Sequence, residues 1–297
     1  MKIIQSLWSR PTFKKEELGT YKNKKDGGWL DRKYYYMSWA LSCLQFKAFY
    51  EEVELVTDNQ GYDLLVNRLG LPYTRVDVVL DDLNEYHIDL WALGKIYAYG
   101  IQQAPFIHAD GDIYIWEKFD QRLENAPLIA QHIDEDTDYY KYSFKQVAQE
   151  FDYVPDAFYS SIQKNHMIVG ANAGVMGGND TGFFENFSSQ AFDFIKKNTT
   201  RLDKINVFLF NVIMEQFLFH SLAEERSLPI EYFTRNINHR CDEIVDLMGS
   251  PTQVKYVHPS GPYKKDRLTC ELVAFYLKKY HPVYHDRILS LLKNCEI

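Results

Sequence analysis

The sequence predicts an α/β fold: a mostly parallel central sheet flanked by helices, with a helical C-terminal extension. Three patterns carry this expectation. Through the first 116 residues, short apolar runs of strand length alternate with stretches of helical period. The connections between these runs are long enough for the crossovers that parallel strands require. From Thr269 to Leu292 the helical spacing continues almost to the end of the chain.

Taken in order, Ile3 to Leu7 is a short apolar run that reads as a first strand. A loop rich in Lys and Gly follows and ends at Gly27 and Gly28. From Arg32 to Phe49 the pattern is helical, with Trp39, Leu41, Leu44 and Phe46 close to one face. VELVTDN is a strand with a polar end, and GYDLLVNRLGLP is a short helix stopped by Gly70 and Pro72. YTRVDVVL is the next strand, Leu90 to Gly100 the next helix, and PFIHADGDIYIW a further strand. The stretch 118–164 mixes acidic and Tyr-rich segments without a clear period and is expected to be an insertion near the mouth of a site. HMIVGANAGVMGG reads as a strand broken by glycines; Phe183 to Lys197 and Ile205 to Glu225 are helical. The expected organisation is one domain over 1–265 and a helical extension over 266–297, interrupted at Pro282.

Composition narrows the classes. The formal net charge of −8 argues against a non-specific nucleic-acid binder, which carries a basic face. An acidic chain that takes a phosphorylated ligand needs a local counter-charge, and a bound cation supplies one. Aromatic residues make up 15% of the chain, and most are expected to fill the core. Cys43, Cys241, Cys270 and Cys295 show no CxxC spacing and read as free thiols in a reducing compartment. The N-terminus is apolar too briefly for a signal peptide, and no stretch approaches the roughly 20 apolar residues of a membrane span. A cytoplasmic location is expected, with peripheral membrane contact left open.

The strongest chemical signal is FIHADGDIYIW. An apolar strand runs into Asp110, Gly111 and Asp112. In an extended chain residues two apart point the same way, so both carboxylates are expected to face one cation. Gly111 is expected to leave room for a phosphate near the backbone. Oxygen ligands suit Mg²⁺ or Mn²⁺. The structural alternative is a polar turn ending a strand. In VGANAGVMGG, Asn172 and Gly174 lie where an apolar strand meets a turn; an Asn amide suits sugar hydroxyls, and the alternative is a plain turn residue. In YVHPSGPYKK, His258 can ligate a metal, Gly261 allows close backbone approach, and Lys264 or Lys265 can neutralise a diphosphate; a surface loop is the alternative.

Together these segments resemble the retaining glycosyltransferases of family 8, a group that includes glycogenin and bacterial lipopolysaccharide galactosyltransferases. The family's signatures are a DxD after a buried strand, an Asn-Ser-Gly strand segment, and a late His-x-x-Gly-x-x-Lys. Here Asp110-Gly111-Asp112, Asn172-Ala173-Gly174 and His258 with Gly261 and Lys264 stand in that order and spacing. Lys95 is placed like a donor-site lysine of the family, and Glu215-Gln216 resembles its Asp-Gln pair. Ala173 stands for Ser, Glu215 for Asp, and Lys265-Asp266 for Pro-Trp. The resemblance implies the GT-A fold, a nucleotide-sugar donor, commonly a UDP-sugar, and transfer with retention. It implies that Asp110, Asp112 and His258 bind Mn²⁺ or Mg²⁺ and that Lys264 contacts the diphosphate. It places Asn172 on the donor sugar and Gln216 or Glu215 near the anomeric carbon. Asp58, after VELVT, is a candidate nucleotide contact, with a strand-end turn residue as the alternative. The acceptor stays open among a glycan, a lipid-linked glycan, a peptide and a small molecule.

Two rivals are weighed against this reading. A haloacid-dehalogenase-type phosphatase also places DxD after a buried strand, but expects a small residue where Tyr114 stands and usually uses its first strand. A non-catalytic binding module on the same fold would not need both aspartates with His258. The C-terminal Lys278, Lys279, His281, His285 and Arg287 beside Phe275, Leu277, Ile288 and Leu291 could touch a membrane surface; a helix pair packed on the core is the preferred alternative.

Overall fold

The computed structural model describes residues 1–13, 26–135, 137–234 and 242–297. Eleven strands are present among them: β1 (Lys2–Leu7), β2 (Val53–Thr57), β3 (Arg75–Val78), β4 (Phe106–Ala109), β5 (Tyr114–Ile115), β6 (Leu128–Ala130), β7 (Ile133–Glu135), β8 (Val169–Ala171), β9 (Val175–Gly178), β10 (Ile230–Tyr232) and β11 (Tyr256–Val257). Seven form the central sheet in the order β10-β6-β9-β4-β1-β2-β3. The sheet is mostly parallel, with β6 and β9 antiparallel. Two short antiparallel ribbons, β5 with β11 and β7 with β8, complete the strands. The expected α/β class with a mostly parallel sheet and flanking helices is observed.

By contacts the chain divides into two compact units. One comprises Lys2–Asn84, Ala109–Lys118 and His239–Ile297. Its centre is the helix Arg32–Phe49, which starts on the Asp31 side chain accepting from the Lys33 amide. The sequence places apolar residues near one face, yet every residue from Tyr34 to Phe46 is buried. A helix covered all round packs on several neighbours, here including Leu55, Leu65, Tyr114, Val257, Cys270 and Leu277. Three polar side chains share one face at i, i+4 and i+7: Ser38, Ser42 and Gln45. Buried polar groups need partners, and these find them in the turn after β4 and in β5. The expected C-terminal extension is a helix pair, Arg267–Tyr280 and Pro282–Lys293, broken where Pro282 opens the second helix. It belongs to this same unit; Tyr34 donates to Glu271 at 2.6 Å, and Cys270, Val273, Leu277 and Ile288 join the core around the Arg32–Phe49 helix.

The other unit comprises Glu85–His108 and Phe119–Asn238, with Met1. The stretch 118–164, expected as an insertion, supplies β6 to the central sheet, β7 to a ribbon and the helices Asp138–Glu150 and Asp156–Asn165. Short strands set among polar residues hide their period, which is why the sheet contribution is missed. Many of the aromatic residues are core, as expected: Phe158 stacks on Phe217 at 4.4 Å, and Phe106 meets Phe184 edge-on at 4.9 Å. The long helical segment ending at Glu225 is not regular. It holds a π-helical turn, Ile213–Phe217, between the helices Val207–Val212 and Leu218–Glu225. Such turns re-aim side chains and recur at functional sites, and this one carries Glu215 and Gln216.

No helix among the described residues is long and apolar enough to cross a membrane. Cys43 and Cys270 are buried free thiols and Cys295 is an exposed one; Cys241 lies outside the described residues.

Candidate functional site

The first group of functional side chains lies in the unit built around the Arg32–Phe49 helix. β4 ends at Ala109, so Asp110, Gly111 and Asp112 form a turn, with the Ile113 amide bonded to the Asp110 carbonyl at 3.1 Å. Strand alternation therefore does not align the two carboxylates; the turn does. The polar stripe on the central helix holds that turn by its carbonyls. Ser38 Oγ donates to Gly111 O at 3.0 Å, Ser42 Oγ to Asp110 O at 3.4 Å, and Gln45 Nε2 to Ile115 O at 2.7 Å. Gln5 supports Ser42, donating to its Oγ at 2.9 Å.

Gly111 has a packing role in the turn. A Cβ at Gly111 would sit 2.5 Å from the Trp39 indole. The missing side chain makes room for Trp39, so the turn can lie flat on the helix.

His258 reaches the turn through the β5–β11 ribbon. Val257 pairs with Tyr114 and Tyr256 with Ile115, antiparallel. Continuing that register brings residue 258 beside the end of the Asp110–Asp112 turn. The Asp110, Asp112 and His258 ligand atoms lie within 4.8 Å of one another. An ion bound at ~2.1 Å spaces its ligand atoms about 3 to 4.2 Å apart, so small side-chain adjustments close the set around one cation. Two carboxylates and an imidazole are a donor set that can hold a divalent ion.

Lys264 completes the group. Its ammonium lies 2.5 Å from Asp112 Oδ2, while His258 Nε2 is 3.5 Å from Asp112 Oδ1. Burial pushes the Asp112 carboxyl up, but the Lys264 charge and then His258 overcome it and hold the group well below the usual carboxylate range. Of the two candidate lysines only Lys264 faces the carboxylates. Lys265 pairs with Asp26 at 3.1 Å and bonds to Trp29 O. Gly261 takes a left-handed conformation, φ 55°, at the start of the turn Gly261–Lys265, and nothing would obstruct a Cβ there. Its need for glycine is thus conformational.

Asp58, at the end of β2, has local partners of its own. Its Oδ2 accepts from the Ser9 amide at 2.8 Å and the Ser9 hydroxyl at 2.7 Å, and its Oδ1 accepts from the Gly61 amide at 2.7 Å. The carboxylate caps the Asn59–Tyr62 helical turn and pins Ser9, which is the strand-end alternative.

The second group lies within the other unit. The β7–β8 ribbon pairs Asp134 with Gly170, and the chain continues so that the Asn172 amide donates to His132 O at 2.8 Å. Asn172 Nδ2 then lies 3.5 Å from Asp134 Oδ2, and its Oδ1 accepts from the Gly174 amide at 3.1 Å. Asp134 also meets His132 Nε2 at 3.2 Å and the Tyr139 hydroxyl at 3.3 Å. Lys95 donates to Ala173 O at 2.8 Å and pairs with Glu215 Oε1 at 3.2 Å; the Tyr99 hydroxyl donates to the same oxygen at 2.9 Å. Tyr140 donates to Gln216 Oε1 at 2.6 Å. Burial raises the Tyr140 hydroxyl well above the ordinary phenol range, with neighbouring Tyr139 and the Asp134 and Glu215 charges adding to it, so it remains a donor. His132, Asp134, Tyr139 and Tyr140 were not singled out from sequence. Asp134 lies in an acidic run, and nothing in that run marks which carboxylate turns toward Asn172.

A family model described as a family of unknown function (DUF6734) matches residues 1–291. The chain belongs to this family. A comparison with curated protein sequences finds no match. Among solved structures, this DUF6734 chain is similar to a galactosyltransferase LgtC in complex with donor and acceptor sugar analogs. The TM-score is 0.45 and the identity 11%, over 93% of this chain and 96% of that one. It is similar to mouse xyloside xylosyltransferase 1 in its apo form, with TM-score 0.39 and 11% identity over 86% and 96% of the two chains. It is also similar to the glycosyltransferase GlyE of Streptococcus pneumoniae TIGR4, with TM-score 0.44 and 10% identity, spanning 99% of this chain and 63% of that one.

Within this DUF6734 chain the candidate residues thus fall into two sets. Asp110, Asp112, His258 and Lys264 are gathered in one unit. Lys95, Asn172, Gly174, Glu215 and Gln216 belong to the other. The first set can hold a divalent cation beside an ammonium; the second offers amide, carboxylate and ammonium groups.

Proposed function

We propose that the chain is a metal-dependent glycosyltransferase that moves a sugar from a nucleoside-diphosphate sugar to an acceptor. One observation carries the reading: Asp110, Asp112 and His258 converge on one point, with the Lys264 ammonium on Asp112. Two carboxylates, an imidazole and a lysine are the donor set that a cation–diphosphate pair needs. They also stand in the motif spacing on which the family 8 resemblance rests.

Asp110, Asp112 and His258 would hold Mn²⁺ or Mg²⁺, and the ion would act as a Lewis acid that stabilises the departing diphosphate. Lys264 supplies the second positive contact to that anion. Asn172, Gln216 and Glu215 are assigned to the sugar, which their amide and carboxylate groups can orient through its hydroxyls. Glu215 is buried and held by the Lys95 ammonium and the Tyr99 hydroxyl, and its carboxylate would supply a negative charge there. That charge suits an oxocarbenium-like transition state. A UDP-sugar donor and retention of configuration follow from the resemblance.

Calorimetry with UDP, GDP and ADP, with and without Mn²⁺, tests the proposal on the wild type and on Asp112→Asn. Metal-dependent binding of one diphosphate that the variant loses supports it and names the base. A folded protein that binds none of the three removes the glycosyltransferase reading. Binding that is independent of both metal and Asp112 favours a non-catalytic module instead.

A further inference from the structure

The Lys264–Asp112 pair has a consequence for how the cation arrives. Asp112 is nearly buried, and its charge is already compensated by an ammonium at 2.5 Å. A divalent ion on Asp110, Asp112 and His258 would share Asp112 with that ammonium, and two positive charges at a buried carboxylate repel strongly. The Lys264 backbone does not offer relief. Its carbonyl accepts from the Leu30 amide at 3.0 Å and from Cys270 Sγ at 3.3 Å, so the main chain is anchored. Its side chain is partly exposed, and even a Cβ built at Gly28 would only reach ordinary contact, 3.7 Å, with its Cδ, so the side chain has room to move. Lys265 cannot substitute for it, being tied to Asp26 and Trp29 O.

We infer that Lys264 is a resident counter-ion of the metal turn, and that a diphosphate must draw it off Asp112 before a divalent cation binds at full strength. This rests on the proposed cation–diphosphate site and adds a coupling to it. Without anion, Lys264 and the metal compete for Asp112. With a diphosphate present, the ammonium moves to the phosphate oxygens, the competition ends, and metal and nucleotide each tighten the other. Linkage requires the two enhancements to be equal. The arrangement would keep the acidic turn neutralised in the resting protein and load the ion together with the donor.

The test is Mn²⁺ binding, read by calorimetry or by the electron paramagnetic resonance signal of free Mn²⁺. It is measured alone and with saturating UDP, on the wild type, Lys264→Met and Lys264→Arg. Lys264→Met should bind Mn²⁺ alone about tenfold more tightly than the wild type. It should lose most of the UDP-dependent enhancement, whereas Lys264→Arg should keep the weak metal-only binding. Lys264→Met binding Mn²⁺ alone no more tightly than the wild type overturns the inference while leaving the cation site standing. Absence of Mn²⁺ binding in all three proteins, with UDP present, overturns both.

Discussion

The Tyr140 hydroxyl donates to Gln216 Oε1 at 2.6 Å, and its ring stands where a side chain on Gly170 would be. A Cβ at Gly170 would lie 2.2 Å from the Tyr140 oxygen. One absent methyl on β8 therefore admits the phenol that fixes the amide of Gln216, a residue assigned to the donor sugar. Gly170→Ala should push Tyr140 aside and destabilise the fold by about 1–3 kcal/mol, as overpacking does. Tyr140→Phe should cost less, roughly 1 kcal/mol for one lost buried hydrogen bond. In both variants sugar transfer should fall at least tenfold while Mn²⁺-dependent UDP binding stays within twofold. Chemical denaturation and calorimetry on the same preparations check the two halves. Weakened UDP binding in Tyr140→Phe would contradict the assignment of Gln216 to the sugar.

The metal turn has its own support. Ser38 and Ser42 donate to the carbonyls of Gly111 and Asp110, one helical turn apart. Neither side chain is a ligand in the proposed site, so each acts by positioning the turn. Ser42→Ala should weaken Mn²⁺ binding a few-fold and cost about 1 kcal/mol of stability. Ser42→Thr keeps the hydroxyl and should recover most of the affinity if the added methyl is accommodated. Equal Mn²⁺ affinity in Ser42→Ala and the wild type would show that the Ser42 hydrogen bond does not position the turn.

A pH effect is expected at His220, about one helical turn beyond Gln216. His220 is buried, and burial lowers its imidazole below the ordinary value of 6.5; Glu224, 3.5 Å away, opposes the shift, and Lys164 adds to it. A base with a depressed folded pKa stabilises the fold fully above its unfolded value and loses that contribution as pH falls below it. The Glu224 carboxyl is also lowered: burial raises it, but Ser161, Lys164 and Asn165 together outweigh burial, so its own contribution is lost only at more acid pH, below its ordinary 4.5. Between pH 7.5 and 5.5 the wild type should therefore lose stability that a His220→Asn variant does not lose. The gap between their urea midpoints should narrow over that window. A constant gap would mean that His220 titrates normally in the folded chain.

Much of the site was legible because its residues are rare combinations in the chain. An apolar run into Asp-Gly-Asp, and a late His with Gly and Lys at fixed offsets, single out residues that the structure gathers in one place. What the sequence does not announce is the means of assembly. The carboxylates meet through a turn, not through strand alternation, and His258 arrives by a two-residue ribbon too short to carry a period. The Ser38, Ser42 and Gln45 stripe at i, i+4 and i+7 was not singled out from sequence, although a polar row within an apolar helix is a signal that partners wait for it. β6 was not visible, since three residues cannot show alternation and their neighbours are polar. Asp58 stays open in the sequence between a nucleotide contact and a strand-end turn residue, and the Ser9 and Gly61 donors show that it caps a helical turn.

The Lys95–Glu215 pair gives the sharpest separation between structural and chemical roles. Both groups are buried, 3.2 Å apart, with Tyr99 also on Glu215 Oε1 and Ala173 O also on Lys95. Removing one partner of a buried pair costs about 3–5 kcal/mol, because the survivor is left charged without compensation. Lys95→Met should therefore destabilise the protein severely, and adding Glu215→Leu should restore part of the loss rather than deepen it. Glu215→Gln is milder, since the amide oxygen still accepts from Tyr99 and Lys95. If Glu215 supplies the negative charge for the transition state, Glu215→Gln should fold, bind Mn²⁺ and UDP as the wild type does, and lose transfer by about a hundredfold or more. Transfer within threefold of the wild type would assign Glu215 to holding Lys95 and Tyr99 in place, and would leave Gln216 as the residue next to the sugar.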